Sequence, residues 1–132
     1  YEETVGPERA QGMNACATAL REGVPLAIHS DAPVTPLGPF FTAWCAVNRL
    51  TPSGRVLGNA ERISVEDALR TITLGAAYTL KLDDEIGSIE TGKRADFTIL
   101  EDDPTEIGGV NLKDVRIWGV VQGGRIFSAK AI

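Results

Sequence analysis

The hydrophobic pattern of the chain changes near residue 82, and this change limits the folds that the chain can adopt. Before that point, apolar residues recur at steps of three and four, a spacing typical of amphipathic helices. After it, short runs of β-branched and aromatic residues are separated by Gly and Asp, which is typical of strands and turns. We therefore predict an α/β fold in two parts, 1–82 and 83–132.

Within these two parts the pattern predicts individual elements. Helices are expected over 8–21, 40–50 and 64–80. Strands are expected at 97–100, 115–122 and 125–128, with a hairpin turn at Gly123 and Gly124. Ser64 begins the clearest helix, because its hydroxyl can accept the backbone N–H of Asp67 and so cap the helix.

The charge balance excludes some classes of partner. The 132 residues include 13 Lys and Arg against 18 Asp and Glu, which gives a net charge of −5. We expect no nucleic-acid partner, because such binding depends on cationic side chains that displace counterions. No apolar run reaches the roughly 18 residues of a membrane span, and no segment has the pattern of a signal peptide. We therefore expect a cytoplasmic protein with no membrane partner.

The first candidate site follows a short apolar run at 25–29, which predicts a buried strand of the parallel type. His29, Ser30 and Asp31 end this run, immediately before a loop rich in proline. In a β/α barrel, catalytic side chains project from this end of the strands, and a carboxylate there can ligate a metal or transfer a proton. A structural alternative is that Asp31 only caps the turn before Ala32 and Pro33.

His29 is the only histidine of the chain. A hydrolytic zinc site usually needs about three protein ligands. Asp31 with at most one histidine cannot complete such a site, so the chain by itself is not a complete metallohydrolase. We interpret His29 as a histidine satisfied by a neighbouring polar group rather than as a ligand.

The segment 87–96 resembles a phosphate-binding loop only superficially. Arg94 follows Lys93 where a phosphate loop has Ser or Thr, and a strand follows where such a loop has a helix. We therefore predict a structural turn in which Lys93 and Arg94 stay solvated and Asp96 accepts N–H groups of a turn.

Taken in order along the chain, these segments resemble a known family. A Ser-Asp-x-Pro-Val segment occupies 30–34, and a G-x-I-x-x-G-x-x-A-D segment occupies 87–96. Between them lie the helix that begins at Ser64 and a Gly-Ala-Ala run at 75–77. This ordered set resembles the carboxyl-terminal part of a metal-dependent amidohydrolase, in the branch that contains N-acyl-amino-acid deacylase-like proteins.

The resemblance implies a fold and a reaction for a longer protein. Residues 1–82 would form the last βα portion of a TIM-type barrel, and 83–132 part of a small β-sandwich-like domain built from both chain ends. Asp31 would end the eighth strand, bind the metal and shuttle the proton of the attacking water. His29 and Ser30 are our candidates for side chains that support Asp31, although relatives often have a small residue at position 29. The other ligands would come from earlier strands: an H-x-H pair, a bridging Lys or acid and two further histidines.

The resemblance also implies a cofactor and a substrate class. The complete enzyme would use a divalent metal, zinc above all, to hydrolyse the C–N bond of a small amide-type molecule. This chain alone would be inactive and would hold no metal tightly. An H-x-H motif encoded upstream of Tyr1 would support this interpretation.

A non-catalytic alternative remains open. The chain can instead be a structural or oligomerisation module that keeps the family's sequence without its chemistry. In either case, we expect the isolated chain to be a homo-oligomer, and most simply a symmetric dimer, because its barrel strand and apolar helix faces lack neighbours.

Overall fold

The computed structural model describes residues 2–129 and contains both helices and strands, which confirms the predicted α/β class. The α-helices are α1 (Glu2–Val5), α2 (Pro7–Gln11), α3 (Cys16–Arg21), α4 (Pro39–Asn48), α5 (Val65–Ile72) and α6 (Leu74–Thr79). Two 3₁₀ helices lie at Asn59–Glu61 and Gly109–Asp114. The strands are β1 (Phe97–Leu100), β2 (Ile117–Gln122) and β3 (Arg125–Ser128).

The three strands form one antiparallel sheet in the order β1-β2-β3. Phe97 pairs with Val121, and Val121 pairs in turn with Ile126. Gly123 and Gly124 both have positive φ, at 54° and 79°, in the tight turn between β2 and β3. The predicted hairpin is therefore confirmed, although β2 begins two residues later than expected.

The core joins the helical part of the chain to its carboxyl-terminal part. Its buried members are Cys16, Ala43, Ala46, Ile63, Ala68, Leu112 and Val115. Leu112 is fully buried, and Asn48 in α4 donates a hydrogen bond from its amide to the Gly109 carbonyl at 2.7 Å. The Trp44 indole donates another to the Val110 carbonyl at 2.8 Å. The division into 1–82 and 83–132 stays a prediction, and residues of both parts share one core.

Two predicted helices are each broken into two. The segment 8–21 gives α2 and α3, because Gly12 ends the first and Asn14 adopts a left-handed φ of 51°. The segment 64–80 gives α5 and α6, which meet at Thr73, with φ −117° and ψ −92°. The predicted cap is confirmed, since the Asp67 N–H donates to the Ser64 hydroxyl at 3.0 Å.

The predicted strand at 25–29 does not form. No hydrogen bond between backbone groups joins 25–30 to any residue that the structure describes, and this segment belongs to no helix or strand. A strand needs a partner whose N–H and C=O groups complete the ladder. Within 2–129 the sheet comprises only β1, β2 and β3, so the barrel and the composite sandwich stay predictions.

Between residues 2 and 129, no helix has both the length and the apolar character that crossing a membrane requires.

Candidate active site

The segment 24–30 lies against the helices and brings the chain to Asp31. Leu26 and Ile28 pack against the buried core, and both are half-buried. Gly75 lies so close to the Leu26 carbonyl that a Cβ at this position would overlap the carbonyl oxygen. The absence of a side chain at Gly75 therefore allows α6 to hold the segment in place.

The backbone of Asp31 is fixed on both sides of its α-carbon. Its N–H donates to Nδ1 of His29 at 3.0 Å, and its carbonyl accepts the N–H of Val34 at 2.8 Å. Thr35 donates its hydroxyl to the Ser30 carbonyl and so closes the same turn. Asp31 has φ 51°, a left-handed conformation that costs an L-residue about 1–2 kcal/mol. Two hydrogen bonds of about 0.5–1.5 kcal/mol each offset that cost.

The carboxylate of Asp31 is exposed and has no hydrogen bond or ion pair with the residues 2–129. The alternative in which this side chain caps the turn is therefore wrong, because the turn is closed by the backbone of Asp31 instead. A carboxylate without a partner, on a fixed backbone, is available to a ligand or a proton.

His29 is exposed, and its Nδ1 accepts the Asp31 N–H. A neutral imidazole has one acceptor nitrogen and one N–H, so Nε2 carries the proton in this arrangement. Neither nitrogen then has a free lone pair for a metal. The imidazole contributes an acceptor to the turn and is not a ligand in this geometry.

Within the described part of the chain, Asp31 could supply one ligand of a metal site, but the other ligands are not present there. A carboxylate oxygen is a suitable ligand for a divalent ion, and Asp31 presents one without competition. No group of three or more His, Cys, Asp and Glu side chains that could hold an ion occurs among residues 2–129. The remaining ligands of any such ion would have to come from outside these residues.

A cleft of about 460 Å³ lies beside the segment 24–30. Its walls include His29, Ser30, Cys16, Cys45 and Arg49. Burial raises the pKa of both thiols, so the neutral form is favoured and neither cysteine has the character of a nucleophile. Both are free.

Arg49 is a wall residue whose role the sequence pattern does not reveal. Its guanidinium donates to the carbonyls of Met13 at 2.6 Å, Asn14 at 3.0 Å and Leu57 at 2.7 Å. These bonds tie the segment between α2 and α3 to the end of α4. The donors of Arg49 are therefore engaged in holding the fold. The sequence does not predict this role, because the left-handed φ of 51° that Arg49 adopts at the end of α4 is visible only in the structure.

The segment 87–96 is structural, as predicted, but one detail of that prediction is wrong. Asp96 accepts the Gly123 N–H at 2.6 Å, so it ties this segment to the hairpin. Lys93 is not solvated, since its side chain is only 12% exposed. Its ammonium donates to the Asp83 carbonyl at 2.5 Å and to the Ser88 hydroxyl at 2.6 Å.

Comparisons with known proteins give one consistent result. The model of the amidohydrolase family matches residues 1–127. The N-substituted formamide deformylase of Arthrobacter pascens is 34% identical over 98 residues, covering 74% of this chain and 18% of its own length. The Bacillus subtilis protein YtcJ, described as an amidohydrolase, is 30% identical over 98% of this chain and 25% of its own length.

A solved structure agrees with these sequence matches. The crystal structure of an amidohydrolase from Thermotoga maritima superposes with a TM-score of 0.64 and 28% identity, covering 86% of this chain and 25% of that one. The chain thus spans a quarter or less of the length of each of these relatives.

Proposed function

The chain belongs to the amidohydrolase family, and from that premise we propose that it forms part of a hydrolase that cleaves the C–N bond of a small amide. The name of the Arthrobacter relative, an N-substituted formamide deformylase, supports an N-substituted amide as the substrate class. The observation that carries the proposal is the free carboxylate of Asp31 on a backbone fixed at both its N–H and its C=O.

Asp31 acts as the general acid and base of this reaction. Its carboxylate takes a proton from the attacking water as the water oxygen bonds to the amide carbon. It then gives that proton to the nitrogen as the C–N bond breaks, which releases an amine and a carboxylic acid. A divalent metal, for which we propose zinc, supplies Lewis-acid activation when bound, and Asp31 is the residue of this chain that would hold it.

The chain performs this role only within a longer protein. We propose that 1–82 contribute the end of a β/α barrel and 83–132 part of a side domain. Two observations support this: the segment 24–30 has no strand beside it in the described residues, and those residues offer no complete ligand set. The isolated chain is accordingly inactive and binds zinc weakly.

The test compares Asp31→Asn with Glu3→Gln in the longer protein that carries this chain. Glu3 is an exposed acid in α1 without a hydrogen bond or ion pair among the described residues, so it controls for the loss of one negative charge. Amine release is measured on a panel of N-substituted formamides and acetamides. Because Asn cannot accept the proton, we expect Asp31→Asn to lose about 100- to 10,000-fold in kcat, and Glu3→Gln to lose none.

Full activity in the Asp31→Asn variant would contradict the assignment of this residue. No amide hydrolysis by the unaltered, zinc-loaded longer protein would favour the non-catalytic alternative, a structural or oligomerisation module.

A further inference from the structure

The backbone N–H of Asp31 is bound by the side chain of His29 rather than by a backbone carbonyl. Nδ1 of His29 accepts the N–H of the residue two positions later at 3.0 Å. Asp and Asn side chains close turns in the same way, through an oxygen that accepts the backbone N–H two residues on. The imidazole therefore does here what a turn-forming amide oxygen does elsewhere.

This bond is made at the N–H of the residue whose φ differs in sign from that of its neighbours. Asp31 has φ 51°, in a region that L-residues rarely adopt. Its carbonyl is held by Val34. Without His29, the N–H would have no protein acceptor among residues 2–129, and only the carbonyl bond would hold this conformation.

We propose that His29 is a positioning residue: its Nδ1 fixes the left-handed backbone of Asp31 and thereby leaves the carboxylate where the reaction needs it. This inference rests on the function proposed for Asp31. It assigns His29 no contact with substrate and no metal bond, because Nδ1 is engaged and Nε2 carries the proton. The property required at position 29 is a short side chain with an acceptor, which Asn also has.

The first test needs no activity and uses the chain itself. At a pH where the imidazole is neutral, nitrogen-15 NMR of the ring should show the proton on Nε2 and Nδ1 as an acceptor. The Asp31 amide proton should exchange slowly in the unaltered chain, faster in His29→Ala, and slowly again in His29→Asn. A ring protonated on Nδ1, or an Asp31 amide whose exchange does not respond to His29→Ala, would overturn the proposal.

The second test measures kinetics in the longer protein. We expect His29→Ala to lower kcat about 10- to 100-fold with little change in KM, the usual effect of removing a group that orients a catalytic residue. His29→Asn should restore most of that loss, whereas Glu3→Gln should change nothing. Equal kcat in His29→Ala and the unaltered protein would overturn the positioning role.

The two proposals can fail separately. If Asp31→Asn is inactive while His29→Ala is fully active, Asp31 keeps its function and only the positioning role is lost. If Asp31→Asn is fully active, the catalytic assignment fails, and the NMR experiment alone decides whether His29 holds the turn.

Discussion

The carboxylate of Glu61 binds Thr18, 43 residues earlier in the chain, through two hydrogen bonds. It accepts the backbone N–H of Thr18 at 2.9 Å and the Thr18 hydroxyl at 2.5 Å. Thr18 is the third residue of α3, and Ala15 at the N-cap offers no side-chain acceptor. Glu61 thus supplies from a distant segment the cap that the local sequence lacks.

This contact predicts a dependence of stability on pH. Its hydrogen bonds to Thr18 hold the pKa of Glu61 below the usual value for a glutamate. A carboxyl whose pKa is lower in the folded state stabilises the fold above its unfolded pKa, and that contribution is lost as the pH falls through the folded pKa. We expect the unfolding temperature to fall less between pH 5 and pH 3 in Glu61→Gln than in the unaltered chain.

Glu3→Gln is the matched control for that experiment, because it removes an exposed carboxyl that has no partner among the described residues. Its acid response should follow that of the unaltered chain. Parallel curves for Glu61→Gln and the unaltered chain would show that the contact does not stabilise the fold.

Gly75→Ala should destabilise the chain, since the new Cβ would overlap the Leu26 carbonyl. Overpacking of this kind typically costs about 1–3 kcal/mol in the free energy of unfolding. Gly12→Ala is the control, because the nearest atom to a Cβ there is the Arg9 carbonyl oxygen at 3.8 Å and its φ of −87° suits any residue. Urea denaturation of both variants measures the difference, and equal midpoints would contradict the close approach.

Arg49→Lys should also destabilise the chain, despite keeping the charge. A single ammonium cannot reproduce the fork of donors that reaches Met13, Asn14 and Leu57. We expect a loss of about 1.5–3 kcal/mol by urea denaturation, the usual value of hydrogen bonds to charged groups. Arg55→Lys is the control, because Arg55 forms an exposed ion pair with Glu2 and such pairs contribute little. A loss for Arg55→Lys as large as for Arg49→Lys would contradict this account.

The isolated chain should self-associate through the edge of its sheet. Within residues 2–129, β3 lies at an edge of the sheet, and its Ile126 and Phe127 are 66% and 51% exposed. Exposed edges with apolar side chains favour pairing with a second copy. Sedimentation of the isolated chain should show a dimer that Ile126→Lys converts to monomer. Leu37→Lys, at an apolar loop residue that is 87% exposed, should leave the dimer intact, and a monomer in the unaltered chain would refute this prediction.

The elements that the sequence predicts correctly are those whose signals are local. The hairpin at Gly123 and Gly124 depends on two adjacent glycines, and the cap at Ser64 on a hydroxyl three residues before its donor. The helix expected at 40–50 is confirmed as α4 because Gly38 and Pro39 mark its beginning and no glycine interrupts it.

The errors occur where distant residues decide the structure. The apolar periodicity continues across Gly12 and Asn14, yet the helix is interrupted there. Arg49, 35 residues after Asn14, binds the backbone of this interruption. The segment 25–29 has the composition of a strand but no partner within the described chain. At the candidate site, the sequence indicates Asp31, whereas the hydrogen bond from its N–H to His29 is visible only in the structure.

The burial of Leu112 in the core that it shares with α4 limits which sequences can replace the part of the chain after residue 82. A recombination that exchanged everything after residue 82 would also replace Leu112, a fully buried side chain that shares the core with Ala43 and Ala46 of α4. A chimera would therefore fold well only if its donor supplied a side chain of leucine's shape at position 112. The two parts of this sequence are therefore interchangeable with those of another protein only where the core residues of both parts match.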